Sequence, residues 1–145
     1  MKTYDLHCRM NNTNSNYLHS DITAKCLEAF YKVYNKLGHG FLEKVYVNAL
    51  SIELKKAGLT IQREYPIDVY YEGDKIGVYY SDIMINEKVI IEVKAVDVLI
   101  PAHEAQLINY LRATDIEVGL LFNFGKKPES KRKVLTAPYK EHKKS

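Results

Sequence analysis

Between residues 20 and 37 apolar side chains recur at the spacing of one helical face: Ile22, Cys26, Phe30, Val33 and Leu37. Ser20 or Asp21 can cap the start of this helix, and Gly38 supplies its stop. After Gly38-His39-Gly40 a second helical stretch is predicted from 41 to about 57, with Leu42, Val45, Ala49 and Leu54 repeating along it and Gly58 ending it. The pattern then turns to strand composition over 59–65 and 67–71, where Pro66 is expected to interrupt a continuous ladder. Glu72-Gly73-Asp74 signals a turn, and strands over 75–85 and 89–95 flank a second turn at Asn86-Glu87. Pro101 opens a helix running to about 113, with Ala105, Leu107, Ile108 and Leu111 as its apolar positions. Residues 117–124 are nearly all apolar, the mark of a strand covered on both faces. Gly125 breaks that strand, and a last strand or arm is expected near 131–135.

Composition changes this picture little. A chain of 145 residues, 46% hydrophobic and 27% charged, suits one soluble domain with a sizeable core. There is no apolar run long enough for a membrane helix, and the first residues lack an apolar signal core, so the expected location is the cytoplasm. Cys8 and Cys26 lie far apart, and Cys26 fits the apolar stripe of the first helix as a buried free thiol. Residues 1–19 read as a flexible polar leader, 20–136 as the folded domain and 137–145 as a basic tail. Charge is uneven: the last twenty residues carry eight Lys/Arg against two acids, whereas residues 1–125 balance to −3. A basic arm suits a polyanion such as nucleic acid, and a solvated tail is the alternative.

Chemistry concentrates in the segment running from Ser81-Asp82 to Glu92-Val93-Lys94. Its strands are apolar enough to be buried, and buried charges are costly unless paired or bound to metal. Alternation puts Glu92 and Lys94 on one face, with Ile91 and Val93 on the other. A hairpin at Asn86-Glu87 would lay Asp82 beside them. Two carboxylates and the Val93 carbonyl would form half a shell for Mg²⁺ or Mn²⁺, and Lys94 could orient an attacking water. The alternative is a structural Glu–Lys pair on a solvent-facing strand. Glu43 shares a helix face with Tyr46 and Leu50, so it is either aimed into a site or set at the stripe edge. His103, Gln106 and Tyr110 could contact a phosphate, a base or the lysine, or could be an exposed polar flank. Of twelve tyrosines, Tyr70, Tyr71, Tyr79 and Tyr80 form two doublets on facing strands, suited to stacking on bases or to cross-strand packing.

In order, these elements resemble the core of the PD-(D/E)XK nuclease superfamily. Gly40-Phe41-Leu42-Glu43-Lys44-Val45-Tyr46 is similar to the signature of the GxxExxY protein family within it. Residues 91–96, 103–111 and 118–125 are similar to that family too, and the resemblance covers roughly 20–136. It implies an α/β fold, with a mixed central sheet flanked by helices in a restriction-endonuclease-like core. It also implies Mg²⁺-assisted hydrolysis of a phosphodiester in DNA or RNA. Asp82 and Glu92 would be metal carboxylates, Lys94 the catalytic lysine, Glu43 an additional helix acid and Gln106 a polar helix residue near the site. One departure is Tyr80, which stands two places before Asp82 where relatives usually carry a basic residue. A domain that keeps the fold for binding nucleic acid or protein without turnover is the alternative, as is a subunit acting as a homodimer or in a larger complex.

Overall fold

The computed structural model describes residues 18–137 and 140. Three helices, α1 (Ser20–Leu37), α2 (Glu43–Lys56) and α3 (Pro101–Arg112), accompany five strands. The strands are β1 (Ile61–Tyr71), β2 (Asp74–Ile85), β3 (Val89–Lys94), β4 (Val118–Phe124) and β5 (Pro128–Val134). They form one sheet in chain order, antiparallel throughout except where β3 meets β4. Parallel neighbours need a long crossover, and α3 supplies it. The expected α/β class with a mixed sheet between helices is therefore the observed one.

Helices cover both faces. Phe30, Tyr46, Leu50 and Leu54 of α1 and α2 pack on Ile83, Ile91, Val93, Phe122 and Phe124. Phe122 stacks on Phe30 at 4.4 Å and Phe124 on Tyr46 at 4.2 Å between ring centroids. On the opposite face Leu107, Tyr110 and Leu111 of α3 pack on Met84, Ile90, Leu121 and Ile67. β3 and β4 lie between the two layers, which is why 118–124 reads as continuous apolar sequence.

Several boundaries differ from the sequence expectation. Pro66 sits inside one continuous β1, opposite Tyr80. Among the described residues β1 is an edge strand, and a proline can be accommodated there because no described strand lies beyond to need its missing N–H. α1 starts at Ser20, but neither Ser20 nor Asp21 caps it; His19 takes the N-cap position in the left-handed region, without a side-chain hydrogen bond. α2 starts at Glu43, so Leu42 and Val45 are exposed, and the buried seam runs through Tyr46, Leu50 and Leu54. β5 begins at Pro128, earlier than expected. The two tyrosine doublets are not cross-strand partners: Tyr79 and Tyr80 face Ile67 and Pro66, while Tyr70 and Tyr71 face Lys75 and Asp74.

Cys26 is a buried free thiol, whose pKa burial pushes up to about 12. Cys8 and most of the expected leader and tail lie outside the described residues. At their inner edges, Arg132 donates a 2.6 Å bond to the Leu18 carbonyl. Lys140 donates to the Leu111 carbonyl in the last turn of α3 and to those of Thr114 and Ile116 beyond it. Among the described residues no helix is long and apolar enough to cross a membrane.

Candidate active site

The β2–β3 hairpin turns at Asn86 and Glu87, both with positive φ, and the Asn86 side chain accepts the Thr60 N–H at 2.8 Å. From this turn the ladder runs Ile85–Val89, Met84–Ile90, Ile83–Ile91 and then ends. At the next position Asp82 and Glu92 replace it with bonds of their own. The Asp82 N–H donates to Glu92 Oε1 at 3.0 Å, and the Val93 N–H donates to Asp82 Oδ2 at 2.7 Å. The two carboxylates are thus fixed side by side where β2 and β3 part. Ile91 and Val93 pack towards α1 and α2, so Glu92 and Lys94 face α3, as alternation predicts.

Asp82 reaches the same side by the same alternation, two residues before Met84 of the α3 layer, and beyond it the strand changes face. Ile83 and Ile85 pack in the α1–α2 layer, yet Tyr79, of the same parity, packs its ring 5.9 Å from Tyr110 of α3. On β1, Ile61 belongs to the α1–α2 layer, whereas Tyr65 and Ile67 belong to the α3 layer. Both strands therefore slip by one residue together, and their register is unchanged from Ile61–Ile85 to Val69–Gly77. The slip centres on Glu64, φ 52°, where the pairing breaks between Arg63–Ile83 and Tyr65–Ser81, level with Asp82. A left-handed non-glycine residue costs about 1 kcal/mol, and such strain gathers at functional sites.

The electrostatics follow from burial. Glu92 is 4% exposed. Desolvation, then the neighbouring Asp82 charge, pushes its carboxyl up from an ordinary 4.5 to about 8. Glu43 adds a weaker upward push. Burial raises Asp82 as well, opposed by the Val93 N–H and by the Lys94 charge. Tyr110 is pushed up to about 12, first by burial and then by the charge on Glu92. Its hydroxyl accepts a 3.0 Å bond from the Gln106 amide. Asp82, Glu92, Lys94, Gln106 and Tyr110 are therefore gathered on one face of the sheet.

Of the other sequence-predicted residues, Glu43 stands at the margin of the site, where its charge acts on Glu92, and two serve the scaffold. Glu43 is the first residue of α2, exposed, on the side of the α1–α2 layer. Among the described residues no three acids, histidines or cysteines converge closely enough to hold a metal, so Glu43 does not complete a trio. Tyr46 is fully buried, donating from its hydroxyl to the Gly38 carbonyl at 2.7 Å and accepting the Phe41 N–H at 3.2 Å. It ties down the loop that leads into Glu43. His103 accepts the Ile100 N–H through Nδ1 at 3.1 Å, a cap on α3.

A family model described as PD-(D/E)XK nuclease superfamily matches residues 20–134. The chain belongs to this superfamily. No curated protein and no solved structure matches it.

Nucleases of the PD-(D/E)XK superfamily generally use divalent metal ions, and the donor set here suits one. Asp82 and Glu92 each spend one oxygen on a backbone N–H, and among the described residues no hydrogen bond or ion pair reaches Asp82 Oδ1 or Glu92 Oε2. The Val93 N–H faces Asp82, so its carbonyl faces the same edge, beyond the end of the β2–β3 ladder. Hard carboxylate and carbonyl oxygens are the donors that Mg²⁺ or Mn²⁺ takes.

Sequence reasoning missed three residues beside this superfamily core. Asn123 is fully buried and bonds the Val96 backbone twice, at 3.0 and 2.9 Å, securing the chain as it leaves β3 after Lys94. A lone polar residue inside an apolar strand was the available signal. Ser81, next to Asp82, is buried, and its hydroxyl has no partner among the described residues. Glu64 gives no signal in sequence, because its importance lies in its φ.

Proposed function

We propose that this chain is a Mg²⁺- or Mn²⁺-dependent nuclease that hydrolyses phosphodiester bonds of DNA or RNA. The observation that carries this reading is the reciprocal bracing of Asp82 and Glu92 at the end of the β2–β3 ladder. It spends backbone bonds on holding two carboxylates together against their own repulsion. That arrangement is unfavourable for stability alone and favourable for binding a cation. A divalent ion held by Asp82, Glu92 and the Val93 carbonyl would neutralise negative charge developing on the scissile phosphate.

The chain's own residues supply the rest. Lys94 leaves β3 on the same face as Glu92 and makes no ion pair among the described residues, so its ammonium is available to orient the attacking water. Gln106 and Tyr110 form the wall of the site on α3. Glu43 adds negative potential from the N-terminus of α2, in a motif, Gly40 to Tyr46, that supports membership of the GxxExxY branch.

Two measurements test this. Mg²⁺ or Mn²⁺ is expected to raise the melting temperature of the wild type but not of a variant carrying Asp82→Ala with Glu92→Gln. Cleavage of single- and double-stranded DNA and RNA is expected to fall at least about a hundred-fold in Lys94→Ala, with the circular-dichroism melt preserved. A protein that neither responds to these ions nor cleaves any of the four substrates overturns the reading.

A further inference from the structure

Between α3 and the outer half of the β1–β2 pair lies a cavity of about 550 Å³. Nothing in the proposed hydrolytic chemistry uses it. Its size is that of a small-molecule site. Tyr70 and Tyr79 line it from the strands, and Ala102 and Ala105 line it from the helix, where their small side chains keep the gap open. Tyr79 is 54% exposed although it lies within a strand. Gln106 and Asn109 bring amide groups to the same space, and Arg112 and Asp68 complete its polar part.

Two of the lining residues belong to the acid site as well. Tyr110 feels the charges of Glu92 and Asp82, and its hydroxyl takes the Gln106 amide. The cavity therefore lies beside the acid site, with Gln106 and Tyr110 between the two. Aromatic rings across from small alanine side chains suit a planar ligand with an apolar face. Amides nearby suit donors and acceptors along the edge of that plane. A nucleobase has both properties.

Resting on the nuclease reading above, we propose that this cavity receives one unpaired base adjoining the scissile phosphate. The substrate class is then single-stranded or splayed nucleic acid. A base held in a blunt duplex is stacked and paired, and would first have to leave the helix.

The test uses AMP as a probe without metal, followed through the backbone amide shifts of α3, beside cleavage of one labelled strand presented alone or in a blunt duplex. Ala105 is an exposed helix position, so Ala105→Trp fills the cavity; Ala102→Trp serves should the first variant melt early. We expect AMP to shift the α3 amides in the wild type and to bind about ten-fold more weakly, or worse, in the filled variant. We also expect the free strand to be cut at least about ten-fold faster than the same strand in the duplex. Equal AMP binding by wild type and filled variant, or no binding at all, overturns the proposal even if cleavage is observed. Equal cutting of the two substrates overturns the unpaired-base specificity. Absence of all cleavage overturns the nuclease reading instead, and the AMP comparison still decides the cavity.

Discussion

Glu92 concentrates the tension in this molecule. Its carboxyl is buried beside Asp82, and its pKa lies near 8 in the folded chain against an ordinary 4.5. The sign follows from proton binding. Between these two values the unfolded chain releases its proton while the folded chain resists, so stability falls as pH rises through this window. Below pH 4.5 the penalty is absent, and above about 8 it is fully present. The metal-free protein is therefore expected to melt progressively lower from pH 5 to pH 8. Glu92→Gln keeps the shape and removes the charge, so its melting curve should flatten across that range. If it is relieved of about 2 kcal/mol at pH 8, its melting temperature there should rise by roughly 7 °C. Calorimetric scans of both proteins at several pH values check this, and parallel slopes would refute it.

At the scale of elements, the junction of β3 and β4 carries the site. Lys94 pairs with Asn123 in register, and two residues later the chain is held by the Asn123 amide. Gly125 lies against the same turn, and a Cβ there would overlap the Val96 carbonyl oxygen. Backbone cannot give way as a side-chain end can. Gly125→Ala is expected to destabilise by about 2–3 kcal/mol, read as a lower urea midpoint with unchanged slope. The same junction shows what was legible in sequence. The hairpin turn, the alternation of Glu92 and Lys94, and the crossover helix all followed from local patterns of period two and 3.6. Those patterns do not encode departures from themselves. Pro66 inside β1, the late start of α2 and the paired slip at Glu64 each depend on a neighbouring strand or helix. Gln106 and Tyr110 were legible as a pair on one helix face, but only the fold shows that this face looks onto Glu92.

Across the whole molecule, one row of residues links the acid site to the basic end of the chain. Glu92 is in register with Leu121, and Leu121 with Lys131. All three point to the α3 face, so Lys131 lies two strand spacings, about 10 Å, from Glu92. It is exposed, whereas its neighbour Lys133 is held by Glu104 at 2.6 Å. On the proposed nuclease reading, negative and positive ends on one face suit a backbone of phosphates that would enter at the lysine and be cut at the acids. Lys131→Ala is expected to weaken binding of single-stranded DNA irrespective of sequence. It should also reduce the slope of log affinity against log salt by roughly 0.7, one phosphate contact. Fluorescence anisotropy over a salt series measures both, and an unchanged slope would exclude the contact.

The paired slip at Glu64 and Asp82 bears on how such a chain can change length over generations. Because β1 and β2 change face together, deleting one residue of β2 between Tyr79 and Asp82 would put that strand out of step with β1. It would turn Tyr79 away from α3. Insertions at the 72–74 turn would do neither. Length variation among descendants of this chain should therefore collect at the hairpin tip and spare the four residues around the slip.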